Sequence, residues 1–168
     1  MPRIRSRRLT ACALTAVSVV LATTALTSAA GAAPKPAPKD SVKVLDWLAV
    51  QQNSSKPEHP RVGTDWTSHG HLYTHKKGRL GKKIGDISSH CSIADRTRHG
   101  YVALCHRVLR TDHGSISLSD AIDRFGRHPH GGRSAVTGGT GAYADAEGQA
   151  EITFFGEGRA RFLIKLDD

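Results

Sequence analysis

Apolar and polar residues alternate most regularly at the end of the chain. Ala150, Ile152 and Phe154 alternate with Glu151, Thr153 and Phe155; after Gly156-Glu157-Gly158, Ala160, Phe162, Ile164 and Leu166 alternate against Arg161 and Lys165. A period of two puts each apolar set on one face of a strand, and the short glycine-containing connection predicts a hairpin. Ser115 to Asp123 has the same pattern, with Ile116, Leu118 and Ile122 on one side, serines on the other, and Asp120 on the apolar side. Tyr101 to Arg110 is strand-like too, and there Val102, Leu104 and Val108 share a side with His106. Val42 to Gln52 is apolar on both faces (Val44, Leu48, Val50 and Leu45, Trp47, Ala49), so a helix competes with a strand there. Asp65 to His75, Gly81 to Cys91 and Arg133 to Thr137 complete the set, with loops expected at Asn53 to Gly63 and Arg124 to Gly132. Eight short strands with no convincing helix predict a sandwich or a closed barrel.

The stretch AVTGGTGAYADAEG, Ala135 to Gly148, joins the sixth strand to the final hairpin. Its glycines, Gly138, Gly139, Gly141 and Gly148, allow positive φ or close backbone approach. Gly139 to Ala144 also fits GxGxxA, but that dinucleotide fingerprint opens a helix in a βαβ unit, and the residues after Ala144 have the pattern of two strands. The segment resembles the signature of the allene oxide cyclase and dirigent-like barrels, in which a glycine turn is coupled to an aromatic (Tyr143), a small residue (Ala146) and a second glycine (Gly148). Glu147 departs from the arginine many dirigent-like members carry there. The resemblance spans roughly Val42 to Leu166. It implies an all-β, eight-stranded antiparallel up-and-down barrel and makes Val42 to Gln52 the first strand. It also implies a cavity that holds a reactive intermediate in one conformation, and it allows an oligomer.

The start of the chain changes the compartment. Arg3, Arg5, Arg7 and Arg8 precede the apolar run Ala11 to Leu26, and Ala30-Gly31-Ala32 suits cleavage before Ala33, which predicts a secretory signal peptide over 1–32. Leu9-Thr10-Ala11-Cys12 precedes the apolar run and so is a poor lipoprotein box, and Arg7-Arg8 lacks the hydrophobic residues of a twin-arginine signal. Residues 33–41 read as a Pro/Lys-rich flexible spacer and 42–168 as the barrel domain, secreted and extracellular, with no membrane span. Removing the signal lowers the net charge from +9 to +5, because it takes four arginines and no acid. The basic residues are scattered among few aromatics, which gives no specific nucleic-acid site.

Export also removes Cys12, leaving Cys91 and Cys105 as an even pair in an oxidising compartment, expected as a disulfide. His69, His71 and His75 share a strand face, but only the first two are close enough to meet one ion; His128 and His130 lie in a loop. No metal and no cofactor is therefore expected, and no GxSxG or other hydrolase motif is present. The candidate ligand-binding residues are His106 and Asp120, polar groups on apolar faces of neighbouring strands, which inside a barrel would present an acid and a base to a small ligand. Gly138, Gly139, Gly141, Tyr143 and Gly148 are expected as turn residues.

The expected function is to bind a small hydrophobic molecule, with a cyclisation or coupling activity, isomerase-like or dirigent-like, that works by confinement. The alternative is a non-catalytic extracellular structural or interaction protein using a basic outer surface. The sequence alone does not decide whether the chain is an enzyme.

Overall fold

A computed structural model describes residues 42–127, 129–156 and 158–167. The readings of residues 1–32 as a signal peptide and 33–41 as a spacer fall outside them, as does the side chain of His128. Eight strands run in order: β1 (Lys43–Ser54), β2 (Asp65–Lys76), β3 (Arg79–Thr97), β4 (Gly100–Thr111), β5 (Gly114–Phe125), β6 (His130–Gly139), β7 (Glu147–Gly156) and β8 (Arg159–Asp167). Each pairs antiparallel with the next, and β1 pairs with β8, which closes an up-and-down barrel. Closure leaves no free sheet edge, so a chain of alternating strands satisfies its backbone without a covering helix. The only helical turn among the described residues is the 3₁₀ turn Gly141–Tyr143.

The alternation fixes the inner faces of most strands. Leu45, Trp47 and Ala49 of β1 point inward, as do Ile116, Leu118, Asp120 and Ile122 of β5, Ala150 and Ile152 of β7, and Ala160, Phe162, Ile164 and Leu166 of β8. Several boundaries differ from the pattern: β1 runs on to Ser54, β6 begins at His130 inside the expected Arg124 to Gly132 loop, and β3 and β5 are longer than expected. β3 runs past Cys91 to Thr97, because its polar end pairs with the first residues of β4 (Thr97 with Gly100, Arg96 with Tyr101) and needs no core. β5 runs on through Arg124 and Phe125, which pair with Tyr101 and Gly100, so Arg124 is on a strand and not in a loop.

One face is the reverse of that expected. On β4 the buried residues are Ala103, Cys105, Arg107 and Leu109, while Leu104 is 48% exposed and His106 is exposed on the outside. The cause is register. The two-residue Asp112-His113 turn pairs Thr111 with Gly114, and from there every odd position of β4 faces an even position of β5: Arg107 with Leu118, Cys105 with Asp120. Since β5 turns its even residues inward, β4 must turn its odd ones.

The two ends of the barrel are built differently. Around Trp47, Leu72, Leu109, Ile116, Ile164 and Leu166 the interior is packed solid. The glycine stretch folds over this end: Thr140 and Ala142 donate backbone hydrogen bonds to the carbonyls of Ser115 and His113 (2.9 and 2.8 Å), and the Tyr143 ring meets Trp47 edge-on at 6.3 Å. Gly141 sits at φ +62°, in the left-handed region, and a Cβ on Gly139 would stand 2.2 Å from the Tyr143 carbonyl. These two glycines let the turn lie close enough to seat Tyr143 as a plug. Toward the other end, Trp66, Ile93, Ala103 and the Cys91–Cys105 disulfide form a second, smaller cluster. The two cysteines face each other directly across β3 and β4, with their Cα atoms 4.1 Å apart.

Candidate functional site: the open end of the barrel

The end opposite the Tyr143 plug holds a cavity of about 390 Å³. Its floor is made by residues too small to meet in the middle. Ala49 and Ala160 pair across β1 and β8, and Gly70 of β2 stands opposite Gln51 of β1, so space is left between the larger side chains around them. Its apolar walls are Trp66, Ile87, Phe154, Phe162 and the Cys91 side of the disulfide. A cavity this size, with aromatic and aliphatic walls interleaved with polar and cationic groups, fits one small organic molecule.

The most buried polar groups come from β3, β4 and β5, while Gln51, Ser54, Lys56, Ser68 and Arg159 lie around the rest of the lining. Arg107 is inside the barrel and its guanidinium forks onto Asp120: Nε donates to Oδ2 at 2.8 Å and Nη2 to Oδ1 at 3.1 Å. Arg107 Nη1 also donates to Ser89 Oγ at 3.3 Å, and the Ser134 hydroxyl lies 3.3 Å from Asp120 Oδ2. The side chains are 5% and 0% exposed, so this is a buried, bidentate ion pair. Arg107 reaches the cavity and Asp120 lies behind it. The carboxylate is thus occupied as the counterion of Arg107.

Nearer the mouth, Arg124 stacks over Phe154 with its guanidinium carbon 3.9 Å from the ring centroid. Its Nε is buried with no hydrogen-bond partner. Burial lowers its pKa; the neighbouring Arg107 pushes the same way, while Tyr101 and Asp120 oppose. Arginine nonetheless stays charged, so the burial appears as unfavourable desolvation and not as a proton lost. Tyr101 pairs with Arg124 across β4 and β5, packs edge-on against Trp66 at 6.4 Å, and accepts a 2.7 Å hydrogen bond from Lys56 Nζ at the rim.

His106 takes no part in this cavity. It is exposed on the outer face, opposite His90 on β3 and Ser119 on β5, so it does not join Asp120 in the interior. The cavity residues that the alternation did not bring forward are Arg107, Arg124, Tyr101 and Trp66, whereas Phe154 was already on the apolar face of its strand. His69 and His71 share the outer face of β2 with their rings 6.2 Å apart, and His75 is turned to Asp46. Among the described residues no three His, Cys, Asp or Glu side chains are placed to share a metal ion. No helix among them is long and apolar enough to cross a membrane.

No protein-family model and no curated protein matches the chain. Solved structures do. Pyocyanin demethylase superimposes with a TM-score of 0.59 at 19% identity, covering 74% of this chain and 99% of that one. AbnU, an exo-specific intermolecular Diels-Alderase, gives 0.59 at 13% identity, covering 78% and 100%. The pterocarpan synthase dirigent protein GePTS1 gives 0.52 at 15% identity, covering 77% and 88%. At such identities the likeness is one of fold, and the fold agrees with the resemblance carried by the Gly138 to Gly148 turn. The chain thus shares its closed-barrel fold with these solved structures, a dirigent protein among them.

Proposed function

We propose that the protein works outside the cell as a barrel that holds a small, largely hydrophobic molecule in this cavity and guides its cyclisation or coupling. The observation that carries the reading is the contrast between the two ends: one is plugged by Tyr143, and the other keeps about 390 Å³ open against aromatic walls. Asp120 is committed to Arg107 as its counterion, and the chemistry that a chamber of this size beside the pair suits is confinement. A flexible substrate is held with its reacting ends together, and the guanidinium and phenol groups polarise an oxygen on which charge builds. Asp120 then acts as a positioning residue for Arg107. The Diels-Alderase and the dirigent protein that share the barrel support this direction.

Native mass spectrometry of the oxidised protein from its own culture medium tests it. A stoichiometric apolar molecule released on denaturation is expected, and Ala49→Leu, which fills the floor, should arrive empty while keeping its β-type circular dichroism. Equal occupancy in the filled variant would move the ligand out of the cavity and overturn the reading.

A further inference from the structure

The cavity has a charge imbalance. Lys56, Arg107 and Arg124 line it, and no aspartate or glutamate does among the described residues. Arg107 is neutralised from behind by Asp120. Lys56 is at the exposed rim, with its ammonium on the Tyr101 hydroxyl and over the Tyr101 ring at 4.8 Å, where water solvates it. Arg124 is different. It is largely buried, its guanidinium carbon sits over the Phe154 ring, its Nε has no acceptor, and no carboxylate pairs with it among the described residues. A buried cation without a counterion is unfavourable in an isolated protein, and a ligand that brings the missing charge removes the deficit.

We propose that Arg124 is the anion-recognition residue of the cavity and that the ligand is an apolar molecule bearing a carboxylate, seated against the Arg124 guanidinium with its hydrophobic body toward Ala49, Ala160 and Phe162. A guanidinium fork already held against Phe154 matches the two oxygens of a carboxylate, and little side-chain freedom is lost on forming the pair. Lys56 adds a second cation at the entrance, which draws an anion inward and keeps its tail pointing to the apolar floor. This inference rests on the cavity being the ligand site and adds the chemical class of the ligand.

The experiment compares two probes of nearly equal shape, 1-naphthaleneacetate and its neutral amide, titrated calorimetrically into the oxidised protein at pH 7. Charge-assisted hydrogen bonds predict that the acid binds roughly tenfold to a hundredfold more tightly than the amide. Arg124→Met keeps the length and the contact with Phe154, so it should bind the amide as the wild type does and lose most of the preference for the acid; Arg124→Lys should keep part of it. Equal affinity for acid and amide in the wild type, or an undiminished preference in Arg124→Met, would overturn the assignment and leave the cavity reading standing. Binding of neither probe would remove both. The wild-type ratio decides the matter even if the methionine variant fails to fold.

Discussion

Removing either half of the Arg107–Asp120 pair should destabilise the barrel by different amounts, and removing both should largely restore it. The pair is bidentate at 2.8 and 3.1 Å with side chains 5% and 0% exposed. Breaking a buried pair typically costs about 3–5 kcal/mol, because the survivor is left as an uncompensated buried charge. The surroundings rank the two halves. In Asp120→Leu the remaining guanidinium still faces the cavity and keeps Ser89, so water can reach it and the cost should fall near the lower figure. In Arg107→Met the carboxylate behind the wall keeps only the Ser134 hydroxyl, so the cost should approach the upper one. The double variant Arg107→Met/Asp120→Leu replaces the pair with apolar groups of similar volume and should lie within about 1 kcal/mol of wild type. Urea unfolding at pH 7 with the disulfide intact reads this directly. With a slope of about 1–3 kcal/mol per molar urea, the single variants shift the midpoint by about 1 M or more. If the double variant is as unstable as the two single changes summed, Arg107 and Asp120 do not compensate one another, and the pairing assigned to the cavity wall is wrong.

Two further outcomes depend on the same kind of geometry. The Arg161 guanidinium, donating to both oxygens of Asp46 at 2.8 Å, holds that carboxyl below the ordinary aspartate value; partial burial opposes this and His75 assists. A depressed carboxyl stabilises the fold above its unfolded pKa of about 3.9 and loses that contribution as the pH falls through its folded value, so the urea-midpoint difference between wild type and Asp46→Asn should be steady near pH 5 and close on further acidification. A difference that instead grows toward acid pH would contradict the assigned pairing. The Cys91–Cys105 bridge, spanning a sequence separation of 14, should contribute about 3 kcal/mol, measured as the drop in unfolding free energy of Cys91→Ala/Cys105→Ala against the oxidised protein. An unchanged midpoint would show that the hairpin gains nothing from the crosslink.

The fold was legible because a half-buried strand writes its face into a period of two. β5, β7 and β8 alternate cleanly, and the glycine turn before β7 carried the resemblance to the barrel. β4 was not legible in that way. Val102, Leu104 and Val108 look as much like an inner face as Tyr101, Ala103, Cys105 and Leu109 do, so alternation alone put His106 inside. The information was present in the turn. A two-residue connection at Asp112-His113 makes odd positions of β4 face even positions of β5, and His106 and Asp120, both even, then point to opposite sides of the sheet. Arg124 was hidden for another reason. It comes after Asp123 and precedes a stretch rich in glycine and proline, so local composition marked a loop; pairing with Tyr101 on β4 keeps it on a strand. Cross-strand pairing is a tertiary fact, and no local pattern carries it.

What distinguishes the two ends of this barrel is which groups would be chosen for stability alone. At the closed end every choice agrees: Trp47, Tyr143, Ile116 and Ile164 fill the space, and the turn's backbone donors find carbonyls on the β4 to β5 connection. At the open end the choices conflict. Small residues leave the floor unfilled, and an arginine is buried with a donor unmade, although a methionine there would pack on Phe154 without an unmatched charge. Local conflicts of this kind are expected where a protein keeps a site ready for something else to complete it. The void and the unmatched cation are complementary in what they lack. One lacks apolar volume and the other a negative charge, and both lie in the same chamber, so a single amphipathic anion supplies both.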